Sequence, residues 1–262
     1  MNFISSSLSL ILYSVLFFTA CSPRIYQPRP SEPVLLSKKD QLKINWISDV
    51  NMSSVSIAYS PKENIGIQLG VGGNHSETST INNAGTPISV LNEYYSNPYI
   101  SAGYYKFSQQ LLYEIYGGVG VYNYKNKARA YLLEMNNVNL FIQPSFAYVD
   151  KNFEAVLTTR IDNLNKGKVI LSDSVLTAES RENYNFLNYK SYFFFQPAFT
   201  IKVGVKFLKF QFQISESIPF NNDYRTIYGT GYRFPLDLGK GRNGLIFGVG
   251  LTAEIDNIFK QK

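Results

Sequence analysis

The sequence predicts an all-β protein, an antiparallel up-and-down transmembrane β-barrel of about ten strands, with eight the alternative. Three observations lead there. From Leu42 onward, apolar residues alternate with polar ones or Gly at the two-residue period of a strand, not the 3.6-residue period of a helix. The connections between these stretches sort into short and long by turns. Aromatic residues, 15% of the 262-residue chain, recur near the proposed strand ends, where rings suit the two membrane interfaces.

The chain opens on a targeting segment, residues 1–20. It carries no charged side chain, and its apolar core, Leu8 to Phe18, is shorter than the roughly 20 residues a spanning helix needs. A secretory signal fits that length. Phe18-Thr19-Ala20-Cys21 resembles a bacterial lipobox, which implies lipidation of Cys21 after cleavage and export by the general secretory route. Residues 21–39 follow, with Pro23, Pro28, Pro30 and Pro33 blocking helix and ladder alike. They read as an extended tether from the lipidated Cys to a barrel domain over residues 40–257.

Strands are expected near 42–48, 53–60, 64–73, 98–107, 111–122, 137–149, 152–162, 189–203, 207–216 and 244–255. Within 65–72, Ile65, Ile67, Leu69 and Val71 share one face, opposite Gly66, Gln68, Gly70 and Gly72. Residues 138–148 set Val138, Leu140, Ile142, Phe146 and Tyr148 against Asn139, Gln143 and Ser145. Residues 208–215 set Leu208, Phe210, Phe212 and Ile214 against Lys209, Gln211, Gln213 and Ser215. Membrane strands of this kind run to about 9–11 residues, longer than the 5–6 typical of soluble sheets. With the N-terminus in the periplasm, the short turns at 61–63, 108–110, 150–151 and 204–206 face the periplasm. The long connections at 74–97, 123–136, 163–188 and 217–243 then face outside. The glycines of 66–73, 117–120 and 244–250 relieve crowding inside the barrel or permit curvature.

Composition excludes several classes. One Cys rules out a disulfide framework and Cys-rich zinc modules, and one His rules out a multi-His metal site. The balance of 25 Lys and Arg against 19 Asp and Glu is mildly basic, but no run of five or six like charges suggests nucleic acid. Neither a phosphate-binding Gly loop nor a cofactor motif occurs. His75-Ser76-Glu77 invites a hydrolase reading, but neighbours in an extended chain point to opposite faces, so no catalytic residue is assigned. Lys125, Lys127 and Arg129, near Tyr124 and Tyr131, offer an outer contact for anionic lipopolysaccharide groups.

The stretch Ala58 to Ile67, Ala-Tyr-Ser-Pro-Lys-Glu-Asn-Ile-Gly-Ile, with Tyr116-Gly117-Gly118-Val119-Gly120, resembles small outer-membrane β-barrel proteins of Gram-negative bacteria. It is most similar to versions with a lipoprotein signal and no assigned activity. The likeness covers roughly residues 37–255 and implies an 8- to 10-stranded barrel, with no functional residues to carry over. On the face opposite the lipid stripe stand Glu114, Glu154, Arg160, Lys190, Lys202, Lys209 and Glu254, expected to point into the lumen. They form either an ion-paired plug or, through an excess of cations, a narrow anion-preferring channel. The expected role is structural or surface interaction in the outer membrane, without catalysis, its long loops meeting a protein or glycan. A soluble lipid-anchored β-domain binding an apolar ligand is the remaining alternative.

Overall fold

The computed structural model describes residues 29–49, 52–81, 87–128, 131–165, 168–172, 191–220, 224–229, 232–237 and 245–255. In chain order the strands are β1 (Leu42–Asp49), β2 (Ser53–Lys62), β3 (Ile65–Ile81), β4 (Pro87–Ser108), β5 (Leu111–Ala128), β6 (Tyr131–Val149), β7 (Phe153–Leu164), β8 (Lys168–Ser172), β9 (Tyr192–Val205), β10 (Leu208–Ser215), β11 (Ile218–Pro219), β12 (Tyr224–Gly229), β13 (Tyr232–Asp237) and β14 (Ile246–Glu254).

Ten of these close into an antiparallel barrel in the order β1-β2-β3-β4-β5-β6-β7-β9-β10-β14, and β14 pairs back onto β1. The closing seam runs from Lys43 opposite Glu254 to Asp49 opposite Gly248. Around the ring itself closure leaves no free sheet edge, while β3 past Gly73 pairs with β4 alone. Strand β8 adds to β6 beyond the end of β7, β11 adds to β9, and β12 and β13 form a separate hairpin.

At one end the strands join through tight turns at Glu63-Asn64, Gln109-Gln110, 150–152 and Lys206-Phe207. Asn64 takes a left-handed φ of 64°, which its short polar side chain tolerates. The opposite end carries the longer connections and the four accessory strands. Two of the expected long loops are different in kind. Most of 74–97 belongs to a β3–β4 hairpin, and 123–136 to a β5–β6 hairpin, both paired well past the apolar stretch. The reason lies in the outward face, which changes from Val71, Val121 and Val138 to His75, Lys125 and Asn136. The apolar signal ends there, but backbone pairing needs no apolar side chains to continue.

The alternation divides the two faces. Ser54, Ser56, Ala58 and Ser60 are buried along β2 while Val55, Ile57 and Tyr59 are exposed. Every barrel strand repeats the pattern, up to Leu69 at 56% and Phe210 at 59% exposure. The outside of the barrel is therefore a continuous apolar belt, and the buried inside is mostly polar. Along β5 the belt runs from Leu111 to Val121. Ten steps of about 3.4 Å, tilted near 40°, project to about 26 Å, close to the apolar height of a barrel membrane protein.

Several inward glycines make room for rings. A Cβ on Gly70 would lie 2.5 Å from the Tyr99 ring, and one on Gly118 would collide with Phe141. Tyr99 and Phe141 meet edge to face across this space, their centroids 5.7 Å apart.

Candidate functional site

Charged and aromatic side chains converge in the buried lumen, and it is occupied by the chain itself. Arg29 to Leu36, expected to be part of a tether outside the body, are buried inside the barrel. The segment is extended, as its prolines require, and it climbs the lumen alongside β3. A Cβ on Gly66 would lie 2.8 Å from Leu36, and one on Gly72 would lie 3.4 Å from Arg29 Cγ.

A peptide inside a barrel must satisfy its backbone without ladder partners. Here barrel side chains do so. Arg160, fully buried, donates to the carbonyls of Arg29 and Pro30, the latter at 3.2 Å. Gln213 donates to the Ser31 carbonyl at 2.6 Å, and Gln143 to the Glu32 carbonyl at 3.2 Å. Lys43 Nζ donates to the Leu35 carbonyl at 2.6 Å. The Glu114 carboxylate accepts from two successive amides, Val34 at 3.0 Å and Leu35 at 2.8 Å. Leu35 has a left-handed φ of 52°, a conformation that turns adjacent N–H groups toward one anion. Pro30 and Pro33 carry no N–H and so remove two donors that the lumen would otherwise have to pair.

The side chains of the segment lock it further. Glu32 accepts from the Ser54 hydroxyl and, at 3.0 Å, from that of Tyr99. The Arg29 guanidinium lies 3.4 Å from the Tyr99 ring centroid and 4.8 Å from that of Phe141. Nearer the tight-turn end the contacts are apolar. Val34 and Leu36 pack with Ala58, Tyr105 and Tyr116, while Leu35 packs with Leu112, Ala147 and Val156. Small inward residues on β2 and β6 thus leave space for the segment.

The charges named from sequence fall as follows. Glu114 and Arg160 hold the segment. Glu154 takes a 2.7 Å hydrogen bond from Lys209 and lies 4.0 Å from Lys202, all three buried. Glu254 stands at the tight-turn end, 3.4 Å from Lys38. Lys190 and Cys21 lie outside the described residues.

Four lumen charges were not anticipated. Asp162, 2.9 Å from Arg160, and Lys43 occupy inward positions of their strands, so the alternation could have found them. Arg29 and Glu32 carried no such signal. Together the buried charges are five cations (Arg29, Lys43, Arg160, Lys202, Lys209) and four anions (Glu32, Glu114, Glu154, Asp162), a near balance.

Outside the lumen, His75 is exposed on β3, opposite Tyr94 in the register. Lys125 is paired with Glu134 across β5 and β6 at 2.6 Å. The side chain of Lys127 and all of Arg129 fall outside what is described. No group of three His, Cys, Asp or Glu able to hold a metal occurs among the described residues.

Fold and site define a class: a closed ten-stranded antiparallel β-barrel with an apolar exterior and a polar lumen filled by its own N-terminal segment. No protein-family model matches the chain, and no curated protein matches it in sequence. Among solved structures, a match is the crystal structure of Acinetobacter baumannii CarO, 11% identical, covering 85% of this chain and 100% of that one, with a TM-score of 0.32. That likeness is too slight to bear on fold or function.

Proposed function

We propose that this protein is an outer-membrane β-barrel lipoprotein of a Gram-negative bacterium, with a structural or surface-interaction role and no catalysis. The observation that carries this reading is the exterior. Some ten strands turn Ile, Leu, Val and Phe outward over a height that matches the hydrocarbon layer, and such a belt in water would be a severe aggregation liability. The signal-like residues 1–20 and the lipobox-like Cys21 supply the route and the anchor in this reading.

Separating the membrane-fractionated protein on an SDS gel, boiled beside unboiled, tests it. A closed membrane barrel shifts in mobility on heating. A protein absent from the outer-membrane fraction, or one running identically both ways, sinks the reading. Labelled fatty acid incorporated by the full chain and lost in Cys21→Ser tests the lipid.

The anion-channel alternative has less support, because the lumen holds Arg29 to Leu36 and its buried charges nearly cancel. The apolar-ligand alternative fares worse still, since the interior is polar and occupied while the apolar surface faces outward.

A further inference from the structure

The direction in which residues 29–37 run through the barrel has a consequence for the membrane topology. Ser37 lies at the tight-turn end, where its amide donates to Gln41 Oε1 at 2.7 Å just before β1 begins. Reading backward, Leu36 reaches the level of Gly66, Glu32 that of Gln68, and Arg29 that of Gly72. Gly66 is next to the Glu63-Asn64 turn, whereas Gly72 pairs with Ser54 near the opposite rim. On β3 that interval is six residue steps, which at about 3.4 Å each and a tilt near 40° project to about 16 Å, over half of the apolar height. The described segment therefore runs up the lumen from the tight-turn end, and its upstream end points toward the loop face. A chain that merely approached β1 from the tight-turn side would leave the lumen empty of these residues.

We propose that the polypeptide enters its own barrel from the loop face, so that everything upstream of Arg29 stands on the loop side of the membrane and the mature N-terminus is displayed there. The inference rests on the membrane reading above. It reverses the topology expected for the N-terminus, which placed it on the same side as the tight turns. It also fixes the leaflet that a lipid on Cys21 enters. Eight residue steps separate Cys21 from Arg29, a reach of at most about 29 Å. Arg29 already lies at the level of Gly72, toward the loop end of the apolar belt, and the route back through the lumen is taken by the segment itself. The acyl chains consequently insert into the leaflet facing the loops, and the barrel holds its own anchor segment threaded through its wall.

What keeps the thread in place is the set of contacts already described. The two-amide clamp of Glu114 lies low in the lumen, while the Arg160 contacts and the stacking of Arg29 lie high. Withdrawal toward either end would strip these buried groups of their partners, which costs far more than the loss of a surface contact.

The test uses the full chain carrying one epitope at a time: between Pro23 and Arg24, between Val50 and Asn51 at the loop-end turn of β1 and β2, or between Gln109 and Gln110 at the tight-turn end. Each protein is first checked for heat modifiability. Intact cells and cells with a permeabilised outer membrane are then probed with antibody. The expected result is that the 23/24 epitope reads with the 50/51 epitope and opposite to the 109/110 epitope. A 23/24 epitope that reads with 109/110, while 50/51 reads opposite, overturns the threading and leaves the membrane barrel standing. Three epitopes equally accessible on a protein that is not heat-modifiable overturn both.

Discussion

Glu114 is the residue on which the threaded segment depends most directly. Its carboxylate supplies acceptors to both Val34 and Leu35 amides in a buried site. Glu114→Ala leaves those donors unpaired, at about 1–3 kcal/mol each. We expect the temperature of heat modification to fall and amide exchange at Val34 and Leu35 to accelerate, measured by hydrogen exchange in detergent. Glu114→Gln keeps one acceptor oxygen and should fall between. Gly70 makes a complementary case of shape rather than polarity. In Gly70→Val the new side chain meets the Tyr99 ring, 2.5 Å from the Cβ position. Overpacking of this kind costs about 1–3 kcal/mol, read as a lower unfolding temperature. An unchanged value would mean that the ring has room to move.

Single strands carry the membrane argument. On β5, Ile115 lies mid-belt and exposed, while Lys125 lies beyond the belt on the same face. Ile115→Lys should destabilise insertion into lipid vesicles by about 2–4 kcal/mol if the belt faces hydrocarbon. Asn123→Lys, at the upper limit of the belt, should cost no more than about 1 kcal/mol. Equal, small effects from both would put the belt in water. The hairpins β3–β4 and β5–β6 illustrate where sequence reading reached its limit. Their lower halves were legible because Ile65 to Val71 alternates strictly and Leu111 to Val121 keeps apolar residues at most outward positions. Their upper halves carry Ser, Thr and Asn on a strand that stays paired, and nothing in that composition distinguishes a solvated ladder from a loop.

At the scale of the molecule, closure and threading together make a barrel whose described lumen holds a segment of its own chain. In planar bilayers the full chain should conduct little. Glu32→Ala combined with Glu114→Ala removes the acceptors of two barrel hydroxyls and of two amides on the segment, and should raise the conductance several-fold by loosening the segment. No change in conductance, with the segment shown to exchange freely, would mean that other groups seal the lumen. The double change also removes two of four buried anions against five cations, so any current that appears should favour anions.

The sequence by itself determined which residues face out and which face in, the ten long strands, and the end at which the tight turns lie. These follow from a period of two and from turn length, both local properties of the chain. Lys43 and Asp162 belonged to that same pattern and needed only its consistent application. What occupies the lumen was decided by tertiary structure alone. Val34 meets Glu114 across 80 residues of sequence, Ser31 meets Gln213 across 182, and Arg29 meets Arg160 across 131. A Pro-rich segment has no face of its own to bury, so its sequence describes an extended chain and nothing more. Only the closed barrel brings together the acceptors, donors and rings that make the interior a better place for that chain than water.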